Sequence, residues 1–405
     1  KSRFSTFGKC QLPAVTGEPF LHYGPGSPER AKLKDALAKT RTECPEIPCI
    51  VNGERIYTGD TFNQFMPSNN KTPVCIVHKG NEETIKKGIE SAMNAKHEWE
   101  SMPMDDRLAI FTKASWLLST KYRYDINAAT MLGQGKTVWQ AEIDSAAELI
   151  DFFRFGAKFV EELYSTQNLQ HEPGVWNKLE YRALEGFVLA ISPFNFTAIG
   201  GNLPATPAMC GNTVLWKPSS TAILSNYLIY KILEESGLPP GVINFIPSSG
   251  KDISNIAVKN KDLGGINFTG STQVFQNIWS TIGNNIMNYR SYPRIVGETG
   301  GKNYHFIHSS ADIESAVACT VRGAFEYQGQ KCSATSRIYC PKSIWDDVKS
   351  KLIELTQKIK IGEPDNFENF MTAVIDENSF DNITKYINIA KNDNNCKILI
   401  GGDYD

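Results

Sequence analysis

The 405-residue chain has no C-x-x-C pair, no apolar run long enough to span a bilayer and no excess charge of either sign. Each absence excludes something. Nine cysteines at irregular spacing, none paired as C-x-x-C, argue against zinc-finger or iron–sulfur ligation. They fit reduced thiols in a reducing compartment. The best apolar stretch, GFVLAIS at Gly186–Ser192, is only strand length. A net charge of −2, with 42 basic against 44 acidic residues, argues against a nucleic-acid or membrane-surface protein, which shows a one-sided field. There is no internal repeat and no low-complexity segment. What remains is an ordinary globular composition, long enough for two or more domains.

Both ends read as incomplete. The opening KSRFSTFGK carries three basic residues and hydroxyls, with no acid before Glu18, and resembles the tail of an organelle transit peptide. The far end, KILIGGDYD, stops just after an expected strand, so a C-terminal part is expected to be missing.

The first eighty residues read as irregular, with turn signals in YGPGSPER and VNGER. Ile85, Ile89, Met93 and Trp99 follow a helical period over Glu82–Trp99, and a strong helical pattern runs from Asp105 to about Tyr164, broken near Gly133–Lys136. Residues 165–185 read as a two-stranded excursion, a small β-hairpin arm for oligomerisation. Then short apolar strands alternate with helices: GFVLAIS, TVLWK, VINFIP, GGINFTGS and RIVGE. That alternation predicts an α/β fold with a Rossmann-like parallel sheet. Such sheets bind ligands at the C-terminal ends of their strands. The residues there are Ser192–Phe196, Lys217–Ser220, Gly270–Thr272 and Glu298–Gly301.

Five groups at or near these positions can do chemistry. FTGST (Phe268–Thr272) ends a strand and opens a helix, where backbone N–H groups face an anion; an ordinary capped turn looks the same, and the G-x-G-x-x-G fingerprint is absent. Lys217 ends an apolar strand, as an anion contact or a snorkelling side chain. Glu298, among glycines at the end of an expected buried strand, is a base with a raised pKa or a plain loop carboxylate. Asn195 in SPFNFT is an oxyanion donor or a turn residue. Cys332 in EYQGQKCSAT has small neighbours and an adjacent lysine whose charge lowers a thiol pKa; the alternative is a packing cysteine.

Together, PFNFTAIGGNLPATPAMCGNTVLWKPS, FTGST, GETGGKN and FEYQGQKCSA resemble the aldehyde dehydrogenase superfamily, from about Gly17 onward. The resemblance implies an NAD-binding domain over 1–298 and a second α/β, thiol-bearing catalytic domain over 299–405. It implies Cys332 as nucleophile, Glu298 as general base and Asn195 as oxyanion amide. Ser192, Lys217, Gly270, Ser271, Thr272, Gln273 and Val274 match cofactor contacts, and Ser333 and Phe196 match substrate contacts. AEIDSAAELIDFFRFGAKF and RALEGFVLAISPFNFTAIGGNLP resemble the branch that oxidises glutamate γ-semialdehyde to glutamate in proline breakdown. That branch implies a small-molecule substrate, a homodimer or higher homo-oligomer and the mitochondrial matrix, with no metal. Many members carry a proline where this chain has Thr197, and a ribose-binding glutamate where it has Ser219 and Ser220. With no carboxylate there to repel a 2′-phosphate, NAD is expected and NADP stays open.

Overall fold

The computed structural model describes residues 11–168 and 170–405, so the expected leader at Lys1–Lys9 lies outside the described residues. Twelve strands are present among them: β1 (Glu46–Ile47), β2 (Cys49–Val51), β3 (Glu54–Ile56), β4 (Thr61–Met66), β5 (Asn69–His78), β6 (Phe187–Ile191), β7 (Val214–Lys217), β8 (Ile243–Phe245), β9 (Leu263–Thr269), β10 (Arg294–Glu298), β11 (Asn303–Phe306) and β12 (Thr335–Tyr339). The central sheet has the order β10-β9-β6-β7-β8-β2-β3. Its first five strands are mutually parallel, and β2 and β3 add an antiparallel edge.

The side chains of β6 explain why its sequence is uniformly apolar. Val188 and Ala190 join one core with Val214, Trp216 and Phe245, while Phe187 and Leu189 join another with Leu215, Ile266 and Phe268. Both faces are covered, so both sets of alternating positions are hydrophobic. Helices Ile223–Ser236 and Thr272–Asn284 supply part of the two covers through Ile229 and Leu233 on one side and Ile278 and Ile282 on the other. The chain leaves β6 toward β7 and β8 on one side and returns to β9 and β10 on the other. The strand order therefore reverses between β6 and β9, which opens a crevice at their C-terminal ends. A third, smaller core around Ile307, Val317 and Val348 lies within the segment that carries β11 and β12.

Two expectations need correction. The first eighty residues are not irregular: they hold a helix at Pro28–Thr42, the β2–β3 pair and a separate sheet of order β1-β5-β4. The helix buries only Leu33, Ala36 and Leu37, too narrow a stripe to stand out as a period, although Ser27 caps it and Pro28 opens it. The excursion at 165–185 has no strand ladder among its described residues. Its limbs are tied by the Gln167 side chain, which both donates to and accepts from the Leu179 backbone, and by the Tyr181 hydroxyl donating to the Thr166 carbonyl. Side chains thus replace the backbone pairing that alternation suggested. No helix among the described residues is long and apolar enough to cross a membrane.

Candidate active site

The β6–β9 crevice gathers residues from distant parts of the chain. After β6, the PFNFT turn enters helix Thr197–Met209. Gln134 holds this turn: its amide donates to the Phe194 carbonyl, and its side-chain oxygen accepts from the Thr197 hydroxyl at 2.9 Å. Thr197 also meets Thr130 at 2.8 Å. A proline could offer neither contact, so threonine at this position ties the turn to the preceding helical layer.

The nucleophile loop lies against the turn. Tyr327, Gln328 and Gly329 take left-handed backbone conformations, with φ of 52°, 56° and 69°. Two of these are not glycine, so the loop stores strain that its surroundings must hold. The Tyr327 hydroxyl donates to the Gln134 carbonyl at 2.7 Å. Gln328 exchanges hydrogen bonds with Thr372 and Ala373, and the Gln330 side chain accepts from the Ile375 amide. Asn195 donates to the Gln330 carbonyl at 3.0 Å, which sets its amide beside the Cys332 segment. Asn303 donates to the Cys332 carbonyl itself.

Glu298 approaches from β10. Its carbonyl accepts from the Gly270 amide at 3.1 Å, so the end of β10 and the FTGST loop form one edge of the crevice. Cys332 is half-buried. Burial pushes its thiol above the ordinary value, and the charge and hydrogen bonding of the Glu298 carboxylate push it the same way; the Cys332 and Ser333 backbone N–H groups pull it down. This corrects the expectation that the adjacent lysine activates the thiol. The Lys331 ammonium is held by Asp144 and Glu326, each at 3.0 Å, and turned to them instead. The expected burial of β10 is corrected too. Arg294, Val296 and Glu298 are exposed, because β10 is the edge of its sheet.

Along the same edge, Ser271 caps helix Thr272–Asn284 by accepting from the Val274 amide. A Cβ on Gly270 would sit 2.7 Å from the ring of Phe268, which is buried, so glycine lets the loop pack against that ring at the helix start. Ser271, Thr272, Gln273 and Val274 are exposed there. Lys217, at the end of β7, has its Nζ donating to the Pro218 carbonyl at 3.1 Å, and burial lowers its pKa to about 8. A glycine-floored helix start with a nearby amine is a donor set suited to a dinucleotide pyrophosphate and ribose. Ser192 is different. Its hydroxyl donates to the Gly200 carbonyl and accepts from the Trp216 indole, and its amide donates to the Lys217 carbonyl. Its side chain braces the crevice wall. Ser333 is exposed and Phe196 half-buried, the first next in sequence to Cys332 and the second to Asn195.

The sequence reading missed what lies under Phe196. Lys136 is fully buried, paired with Asp144, and its Nζ stands 4.4 Å from the Phe196 ring centroid and 4.2 Å from that of Tyr327. Burial lowers its pKa to about 8 despite Asp144. Burial also raises Glu148 to about 7, with the Asp144 charge adding to it. Lys136 was visible only as part of a helix break, and its partner is placed by a π-helical turn at Glu142–Ala147 that no periodicity announces.

The aldehyde dehydrogenase family model matches residues 56–405. A delta-1-pyrroline-5-carboxylate dehydrogenase of Agaricus bisporus is 53% identical over 397 residues, covering 98% of this chain and 72% of the relative. The human mitochondrial protein of that name is 48% identical over 392 residues, covering 96% and 69%. The crystal structure of the Mycobacterium tuberculosis delta-pyrroline-5-carboxylate dehydrogenase bound with NAD superposes with a TM-score of 0.96 at 41% identity, covering 99% of this chain and 75% of that one. Switch-point crevice, cysteine loop and matched relatives agree, and the chain belongs to the aldehyde dehydrogenase family.

Proposed function

We propose that the chain oxidises L-glutamate γ-semialdehyde, the open-chain form of 1-pyrroline-5-carboxylate, to L-glutamate with NAD, the second step of proline breakdown. The observation that carries this reading is the convergence of the Asn195 amide, the Glu298 carboxylate and the Cys332 thiol at one crevice, in a chain whose relatives bear that activity in their names. The Cys332 thiolate attacks the aldehyde carbon, and the carbonyl oxygen becomes an oxyanion. The second N–H of the Asn195 amide and the Cys332 backbone N–H stabilise that charge. Bound NAD accepts the hydride that leaves the tetrahedral carbon. Cys332 then carries a thioester, and Glu298 takes a proton from the water that hydrolyses it, returning a thiolate and a carboxylic acid. Cysteine suits both halves because sulfur is a strong nucleophile and a good leaving group.

In this reading Lys217 and Gly270–Val274 hold the dinucleotide, with Ser192 bracing them, and Phe196 and Ser333 face the substrate. Residues 1–298 form the nucleotide-binding unit and 299–405 the thiol-bearing unit. The segment at 165–185, with Trp176 83% exposed, serves a homo-oligomer contact, and the protein works in the mitochondrial matrix. Ser219 and Ser220 oppose no 2′-phosphate, so NADP belongs in the same assay.

The test is NADH formation from 1-pyrroline-5-carboxylate beside a short-chain aldehyde. A preference for 1-pyrroline-5-carboxylate that disappears in Cys332→Ala supports the reading; equal rates on both substrates would replace the substrate, and turnover in Cys332→Ala would replace the nucleophile.

A further inference from the structure

We infer that Asp144 is a positioning residue for the reaction, holding the Lys136 and Lys331 ammonium groups together beneath Phe196 and so fixing the loop that presents Cys332. One carboxylate oxygen, Asp144 Oδ2, is shared by both ammonium groups. Lys136 is 0% and Asp144 3% exposed, and the Lys331 side chain 12%. Two cations in so dry a space repel each other strongly unless a carboxylate lies between them. The aromatic rings complete the enclosure. Phe196 has Lys136 on its ring at 4.4 Å and Lys331 at 5.4 Å, and Tyr327 has Lys136 at 4.2 Å. These rings are neighbours of the two reacting groups in sequence. Phe196 follows Asn195, and Tyr327 opens the left-handed run Tyr327–Gly329, which ends three residues before Cys332.

The rest of the enclosure explains why Asp144 alone can do this. The charged and titratable groups facing it are Lys136 from the Gly135–Thr137 turn, Lys331, Glu326 and Tyr327 from the nucleophile loop, and Glu148 one turn along its own helix. Glu148 carries a buried oxygen with no hydrogen-bond partner, and burial raises its pKa to about 7, so it is a poor permanent anion. Glu326 reaches Lys331 but pairs on its other side with Arg322. The π-helical turn at Glu142–Ala147 sends Glu142 to Arg123 and Asp144 to the two lysines, so one local distortion serves both the fold and the site.

The inference rests on Cys332 being the nucleophile, and its test separates the two. Asp144→Asn is expected to lower kcat/KM about 100-fold by letting the loop drift on the ångström scale, while NAD affinity stays unchanged. Lys331 then keeps only Glu326 as an anionic partner, so its ammonium is turned less firmly from the thiol and iodoacetamide labelling of the Cys332 peptide shifts to lower pH. Lys136→Met with Asp144→Asn removes the buried charge imbalance. Its melting temperature should return toward wild type while kcat/KM stays low and the labelling shift persists. Lys331→Gln, a change at a partly exposed side chain, should also lose kcat/KM. A double variant that regains full kcat/KM along with its stability would make Asp144 merely structural, and full activity in Lys331→Gln would break the proposed link. Labelling and melting need no substrate, so they hold even if the substrate assignment fails.

Discussion

Asn195→Ala separates catalysis from stability more sharply than other single changes at this site. The amide has two N–H groups; one is committed to the Gln330 carbonyl at 3.0 Å, leaving the other for the oxyanion. Losing one oxyanion donor costs about 3 kcal/mol of transition-state stabilisation, or roughly 10²–10³ in kcat. The stability side nearly cancels. The hydrogen bond to Gln330 contributes about 1 kcal/mol, but the Asn195 carboxamide oxygen is buried without a partner, and removing such an atom returns about the same amount. The variant should therefore melt near the wild-type temperature and turn over several hundredfold more slowly. Steady-state NADH absorbance gives kcat, and a thermal melt gives stability. A kcat near wild type would refute the oxyanion role, whatever the melt shows.

Three further predictions follow from the same geometry. Because Glu298 raises the Cys332 thiol pKa, Glu298→Gln should lower it, and the pH at which iodoacetamide labels the Cys332 peptide half-maximally should fall. No shift would separate the two groups. Lys217 has a pKa lowered to about 8 by burial, so its charge is lost as pH rises through that value. NAD affinity, read by fluorescence titration, should weaken above pH 8, and Lys217→Ala should weaken it about 10-fold or more at pH 7 and abolish the pH dependence. Gly186→Ala should cost about 3 kcal/mol in denaturant melts, since φ there is 136° and the new Cβ would fall 2.1 Å from the Asp262 carbonyl oxygen.

The parallel strands were legible because both faces of β6 and β7 are buried, so no polar residue interrupts them until the chain reaches the crevice. Asn195, Glu298 and Cys332 were legible as lone chemical groups at or near strand ends. Their mutual placement was not, since it depends on contacts such as Gln134 to Phe194 and Tyr327 to Gln134, which span tens to hundreds of residues. The neighbour effect failed for Lys331 for the same reason. Adjacency in sequence put a cation beside the thiol, but Asp144, far earlier in the chain, turns that cation away. The helix at Pro28–Thr42 was hidden by a narrow buried stripe, and the 165–185 segment showed an alternation that its side chains, not its backbone, satisfy.

The central claim is that carbon–sulfur chemistry at Cys332 precedes hydrolysis assisted by Glu298. The direct measurement is a single turnover of Glu298→Gln with NAD and 1-pyrroline-5-carboxylate, quenched in acid and mapped by peptide mass. The account predicts a burst of one NADH per active site and a glutamyl thioester on the peptide containing Cys332. A burst with that peptide unmodified, or an acyl group on another residue, would contradict it.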